Sequence, residues 1–270
     1  MPTRSTTVLP WRVLSLLAGI VFCFIAGCGN GGATVITVFA AASLTDAFGE
    51  IAREFESANP GIEVKLNFAG SQRLRSQLEF GASADVFASA DAAQMDLAKD
   101  AGLIAGAARP FAGSAMAVIV PEDSRIQKVS EIADPGVKLV LAHESVPAGR
   151  YSRLLLVRLS ETDAGLGADF AERTLANVVS DETSVKFVEQ KVVLGQADAG
   201  IVYRSGAMTA AATGSARELP LPPETNGVQA LYPIAVLSDS AAPDWGEKFV
   251  QFVLSRPARD ILASYGFDAP

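Results

Sequence analysis

Apolar and polar positions along the chain divide it into strand-like and helix-like stretches. Val35-Ile36-Thr37-Val38-Phe39 is β-branched and apolar, the pattern of a strand buried on both faces. Beyond the small residues Ala40-Ala41-Ala42, Leu44, Phe48, Ile51, Ala52 and Phe55 recur at helical spacing to about Ser57. Ser43 stands at this strand-to-helix turn, where a capping hydroxyl is favoured. The first N–H groups of such a helix have no intrahelical partner and carry a partial positive charge. After the turn Asn59-Pro60-Gly61, Ile62 to Phe68 alternates as a strand with one buried face. Ala69-Gly70-Ser71 follows, then a helix marked by Leu74, Leu78 and Phe80 and closed by Gly81. The unit of strand, small turn, Ser and helix is thus repeated, with Ser71 in the place of Ser43. For each serine a plain cap and an anion site stay open.

Ala84 to Ala88 reads as a short strand, and Asp91 as the cap of a helix Ala92–Ala101 that Gly102 stops. Strands alternating with helices at this spacing predict βαβ units and largely parallel sheets, in which ligands sit at the carboxyl ends of strands. Ala115 to Val120, ending at Pro121, reads as the crossing into a second lobe. Lys138 to Ala142 is the next strand. It leads through His143 to Gly149 into a helix expected to turn Tyr151, Leu154, Leu155 and Leu159 inward. Pro147 suits a first helical position, so the N–H groups of Ala148 and Gly149 would point out of the helix start. Val178 to Thr183 reads as polar and irregular, and Thr183 or Ser184 as the cap of a helix carrying Val185, Val188, Val192 and Leu194. Ala199 to Tyr203 is a buried strand. Tyr203 at its end is either a core aromatic or a hydroxyl facing a cleft. Ala216 to Glu224 reads as a loop or edge strand, Leu231 to Leu237 as the return crossing, and the rest as two helices broken at Arg256-Pro257.

The N-terminus does not belong to this pattern. Arg4 and Arg12 precede an apolar run, Val13 to Ala26, that is short for a bilayer span and suited to a signal peptide. Ile25-Ala26-Gly27-Cys28 resembles a bacterial lipobox. Residues 1–27 are therefore read as a lipoprotein signal peptide, Cys28 as the lipidated first residue after cleavage, and 28–34 as a flexible tether. Cys23 would leave with the leader, so no thiol would remain for a disulfide or a metal. The leader carries Arg4 and Arg12 and no acid, so its loss turns a net charge of −8 into −10. That balance lacks the basic footprint of nucleic-acid binding. An anion would have to be held by local dipoles rather than by the field of the whole molecule.

Enzyme chemistry finds few residues. His143 is the only histidine, Ser43 is not in a G-x-S-x-G elbow, and there is neither a P-loop nor a G-x-G-x-x-G turn. Asp85, Asp91, Asp181 and Glu182 lie near turns and read as caps or solvated surface. Neither enzymatic activity nor a resident cofactor is expected. What remains is up to four helix N-termini at strand ends, none with Lys or Arg at its tip, an arrangement suited to an anion held by neutral donors. Each hydrogen bond to a charged partner contributes about 1.5–3 kcal/mol, so half a dozen suffice without a counter-ion.

The stretches Val38-Phe39-Ala40-Ala41-Ala42-Ser43-Leu44-Thr45, Phe68-Ala69-Gly70-Ser71, Gly81 to Asp91, Val146-Pro147-Ala148-Gly149, Gly200-Ile201-Val202-Tyr203 and Tyr265-Gly266-Phe267 carry a resemblance. Together they resemble the periplasmic molybdate-binding proteins of bacterial ABC transporters, from about Val35 to Phe267. The resemblance implies an α/β, two-lobed periplasmic-binding-protein fold of type II, each lobe a mostly parallel sheet flanked by helices, with two crossover strands as a hinge. Lobe I would be 35–113 with 235–270, and lobe II 114–234. It implies an oxyanion held by the hydroxyls and N–H groups of Ser43 and Ser71, the N–H groups of Ala148 and Val185, and the Tyr203 hydroxyl. Molybdenum would be bound only as the oxyanion. Val185 is placed by counting back from Tyr203, since 181–186 matches the family poorly, and Gly70 stands where many relatives have Ser. The implied function is extracytoplasmic binding of molybdate and tungstate and delivery to the membrane permease of an ABC importer, by a monomer tethered through Cys28 to a bacterial membrane. Two alternatives stay open: a binding protein for sulfate, thiosulfate or phosphate, and an effector domain like those of LysR-type regulators, against which the leader and the absent helix-turn-helix count.

Overall fold

A computed structural model describes residues 1–3, 33–162, 165–223, 225 and 228–270. The expected leader and lipidation site, Cys28, lie outside the described residues. In chain order the elements are β1 Thr34–Ala41, a 3-10 turn Ala42–Leu44, α1 Thr45–Ala58, β2 Ile62–Ala69, α2 Ser71–Glu79, β3 Val86–Ala88, α3 Ala92–Asp100 and β4 Ile104–Pro121. Then follow a 3-10 turn Val129–Ala133, β5 Leu139–Ala142, α4 Pro147–Glu161, α5 Phe170–Ala176, β6 Val178–Glu182, α6 Val185–Val193, β7 Ala199–Tyr203, α7 Arg204–Ala212 and β8 Ala216–Leu219. β9 Gln229–Leu237, α8 Pro243–Val253 and α9 Arg256–Ser264 close the chain.

The strands run in the order β2-β1-β3-β9-β4-β7-β5-β6, with β8 on β4. β1 is parallel to β2 and β3, and β5 is parallel to β6 and β7. These two parallel sets are the βαβ halves that the alternating pattern predicts, and their helices cover both faces, so Ile36, Val38 and Ala40 of β1 are fully buried. β4 and β9 join them. β4 pairs antiparallel with β9 from Ile104 to Ala115, then with β7 from Met116 to Ile119. The amphipathic face of α1 packs Phe48 and Phe55 against Phe249 of α8, at ring distances of 6.2 and 5.2 Å.

Several local expectations are corrected. β4 is far longer than the expected Ala115–Val120. Its first half is hidden by register shifts between Ala105 and Arg109 and between Pro110 and Ala112, and by Gly106 at φ +74°. The polar 178–182 is a strand, β6. It lies at the sheet edge, half-exposed, where no apolar run is required. Leu154, Leu194 and Phe80 are exposed rather than inward, while Leu156 takes the core place expected of Leu154. Helices α5 and α7 had no clear apolar stripe and were not expected.

Candidate functional site

Each half presents helix starts at strand ends, but the serines do something other than capping. Ser43 sits inside the 3-10 turn, whose N-cap is Ala41, and it caps neither that turn nor α1. Its Oγ lies 3.0 Å from the Tyr232 hydroxyl in β9. Ser71 is the first residue of α2, with Gly70 as N-cap. Its Oγ accepts from the Ala90 N–H at 3.0 Å. A serine hydroxyl that accepts in this way keeps its own proton free to donate elsewhere. The capping alternative for both serines is therefore overturned: their hydroxyls are turned away from their own helix starts.

In the other half Val146 caps α4, Pro147 is its first residue and Ala148 its second. Ser184 is the N-cap of α6, its Oγ accepting from the Lys186 N–H at 3.3 Å, and Val185 is the first helical residue. Tyr203 ends β7 and precedes α7. It is fully buried, yet its hydroxyl has no hydrogen-bond partner among the described residues. Its ring meets that of Tyr232 edge-on at 5.7 Å.

The structure brings all five expected residues, Ser43, Ser71, Ala148, Val185 and Tyr203, around one small space. Ala41, Ala42, Gly70, Ala90, Val146, Pro147 and Ser184 complete its wall, and among the described residues no charged side chain lines it. The groups facing it are hydroxyls, free amides at helix starts and small apolar side chains. Burial pushes the Tyr203 hydroxyl well above the ordinary tyrosine range, and burial raises Tyr232 as well. Both stay protonated, so Tyr203 remains a donor. A wall of donors around a space of this size favours a small anion without a proton of its own.

Charge is arranged around this space rather than in it. Arg150, in the first turn of α4, reaches across to the buried Asp91 at 2.8 Å. The expectation that no cation stands at these helix tips needs one correction: Lys186 follows Val185 directly. Its ammonium turns aside to Asp46 at 3.2 Å and Glu189 at 2.9 Å. Among the described residues no three His, Cys, Asp or Glu side chains are grouped to hold a metal ion. His143 bonds Ser145 at 2.9 Å and is not among the residues lining the space beside Ser43. The residue that sequence reasoning missed is Tyr232. In sequence it is one inward position of a crossover strand. Only the packing of β9 brings it to Ser43.

A family model described as "Bacterial extracellular solute-binding protein" matches residues 36–268. The molybdate-binding protein ModA of Mycobacterium tuberculosis (strain ATCC 25618 / H37Rv) is 40% identical over 241 residues, 88% of this chain and 86% of its own. The solved Azotobacter vinelandii periplasmic molybdate-binding protein is similar at TM-score 0.73 and 19% identity, over 87% of this chain and 99% of its own. The sulfate-binding protein SubI from Mycobacterium tuberculosis H37Rv is similar at 0.74 and 19%, over 87% of each chain. At that identity the two structures speak for the fold alone, and their near-equal scores mean that the fold does not choose between oxyanions.

Proposed function

This chain belongs to the bacterial extracellular solute-binding proteins, and from that premise we propose that it binds molybdate outside the cytoplasm and passes it to the permease of an ABC importer. The observation that carries the reading is the charge-free space lined by Ser43, Ser71, Ala148, Val185 and Tyr203, with donors from both halves of the fold. The 40% identity to a molybdate-binding protein supports molybdate as the anion. Ser43 and Ser71 supply hydroxyl and amide donors, Ala148 and Val185 amides at helix starts, and Tyr203 a hydroxyl from the far wall. Molybdenum is then held only as its oxyanion. Tungstate, of the same shape and charge, is the expected second ligand.

Closure brings the two sets of donors together. We assign lobe I to 35–113 with 235–270 and lobe II to 114–234. The change of partner along β4, from β9 at Ala115 to β7 at Met116, supports a hinge at the crossover strands. The protein acts as a monomer without enzymatic activity. Isothermal calorimetry on residues 29–270 tests the reading: molybdate is expected to bind tightly and sulfate, thiosulfate and phosphate weakly. Sulfate displacing molybdate at comparable concentration overturns it in favour of a sulfate-binding protein.

The proposed anchor is a lipid on Cys28, as the run Ile25-Ala26-Gly27-Cys28 suggests. Two or more acyl chains hold a protein to a membrane where one does not. Expression of the full chain with labelled palmitate is expected to label the wild type and not Cys28→Ser. Equal labelling removes the anchor.

A further inference from the structure

The stretch Thr183–Lys186 enters the site from the second lobe, and the first lobe grips it on both sides of Val185. On one side the Thr183 carbonyl accepts from Gln72 Nε2 at 3.1 Å. The same carbonyl lies so near Gly70 that a Cβ built there would stand 2.7 Å from it. On the other side Lys186 Nζ donates to Asp46 Oδ2 at 3.2 Å and pairs with Glu189 within its own lobe at 2.9 Å. Gln72 is one residue beyond Ser71, and Asp46 three beyond Ser43. Each contact therefore leaves lobe I beside a candidate donor and lands within two residues of the Val185 amide. Behind the gripped stretch is β6, the sheet edge, which has a strand neighbour on one side only.

We infer that Gln72 and the Asp46–Lys186 pair are positioning residues that seat Thr183–Lys186 on lobe I, so that the Val185 amide reaches an anion already held by Ser43 and Ser71, and that Gly70 is the glycine this seating requires. The inference deepens the proposed molybdate binding and rests on it. Contacts between lobes exist only once the lobes have met. They act on escape from the closed form and not on entry into the open one, as most affinity differences reside in dissociation. In this chain a Cβ at Gly70 would meet both the Gln72 side-chain amide and the Thr183 carbonyl, and so disturb this seam.

The test is a rate measurement on the 29–270 protein with radiolabelled molybdate. Release from Gln72→Ala and Lys186→Met is expected to be three to ten times faster than from the wild type, and from Gly70→Ala faster still. Entry should stay within twofold, and the melting temperature of ligand-free Gln72→Ala and Asp46→Asn should not change. Asp46→Asn should match Lys186→Met, and Lys186→Arg should restore slow release. Unchanged release rates overturn the inference, as does faster release accompanied by an equal loss of ligand-free stability, which would mark ordinary packing. If the wild type fails to retain molybdate, that reading falls by itself. The same release measurement with radiolabelled sulfate then judges the seam: Gln72→Ala and Gly70→Ala must still release faster than the wild type, and equal rates overturn it.

Discussion

Ser43 and Ser71 show what a single hydroxyl can be asked to do. Each stands at a helix start, where the commonest duty is capping, and neither performs it. Tyr232 and the Ala90 amide hold the two oxygens instead, at 3.0 Å each. Ser43→Ala and Ser71→Ala are each expected to weaken molybdate binding by about 1–3 kcal/mol, the cost of leaving a buried charged oxygen one donor short. Calorimetry reads it, and unchanged affinity in both variants would reduce the serines to fillers of the turn. Tyr203→Phe should cost as much or less and also loosen closure. Arg73, Arg75 and Arg150 lie close by, yet none lines the space; Arg150 pairs with Asp91 and Arg75 with Glu79. Their replacement by Gln should not remove more than about 3 kcal/mol of molybdate affinity, since none of the three lines the space proposed for the anion.

The tyrosines also set a pH dependence. Burial raises both hydroxyls above the ordinary tyrosine range. A group whose folded pKa is raised contributes stability that is complete below its unfolded value and is lost only as pH climbs through the raised value. Donation by Tyr203 is therefore constant across neutral and mildly alkaline solution. Molybdate affinity should vary less than threefold between pH 7 and 9. A steep fall in that window would mean that a titrating group touches the anion.

At the scale of elements, the site is made of turns in which backbone comes very close to backbone. Gly149, third residue of α4, lies against the end of β5: a Cβ there would stand 2.1 Å from the His143 carbonyl oxygen and 2.3 Å from that of Ala142. Both neighbours are main chain and cannot swing aside. Gly149→Ala is expected to cost about 1–3 kcal/mol of stability, in the range of overpacked cores, and to weaken molybdate binding by displacing the Ala148 amide. Thermal melting and calorimetry on the same preparation check it; a variant as stable as the wild type would mean that α4 shifts freely. Elements with a strong period were legible in the sequence. The α1 face from Phe48 to Phe55 and the β1 run are examples, since both bury a continuous apolar surface. β6 was not, because an edge strand need not be apolar. The first half of β4 was not either, because two register shifts break its alternation.

For the whole molecule, selectivity is a matter of size and closure. Charge cannot separate molybdate from sulfate, both tetrahedral dianions near neutral pH. Sulfate has the shorter bonds, so in a cavity spanned by donors from two lobes some of its hydrogen bonds would stretch and leave buried amides underpaired. Tungstate is expected within about tenfold of molybdate, a gap of about 1.4 kcal/mol. Sulfate and phosphate should be far weaker, phosphate also because its proton would face donors only. Competition calorimetry orders the four anions, and tungstate weaker than sulfate would sink a size-based account.

By itself the sequence determined the alternation of strands and helices, the small residues and serines at strand ends, the acidic balance and the missing P-loop, G-x-S-x-G and G-x-G-x-x-G motifs. All of these are local properties, written in period and residue type, and a repeated strand–turn–helix unit converts them into helix starts on one edge of a sheet. Only the tertiary structure decided what those residues do. Tyr232 meets Ser43 across 189 positions, and the Thr183 carbonyl meets Gln72 across 111. Contacts at such separations leave no period in the chain. They arise because two crossover strands, β4 and β9, turn two separate parallel sets toward each other, so that neutral donors from distant stretches share one small space.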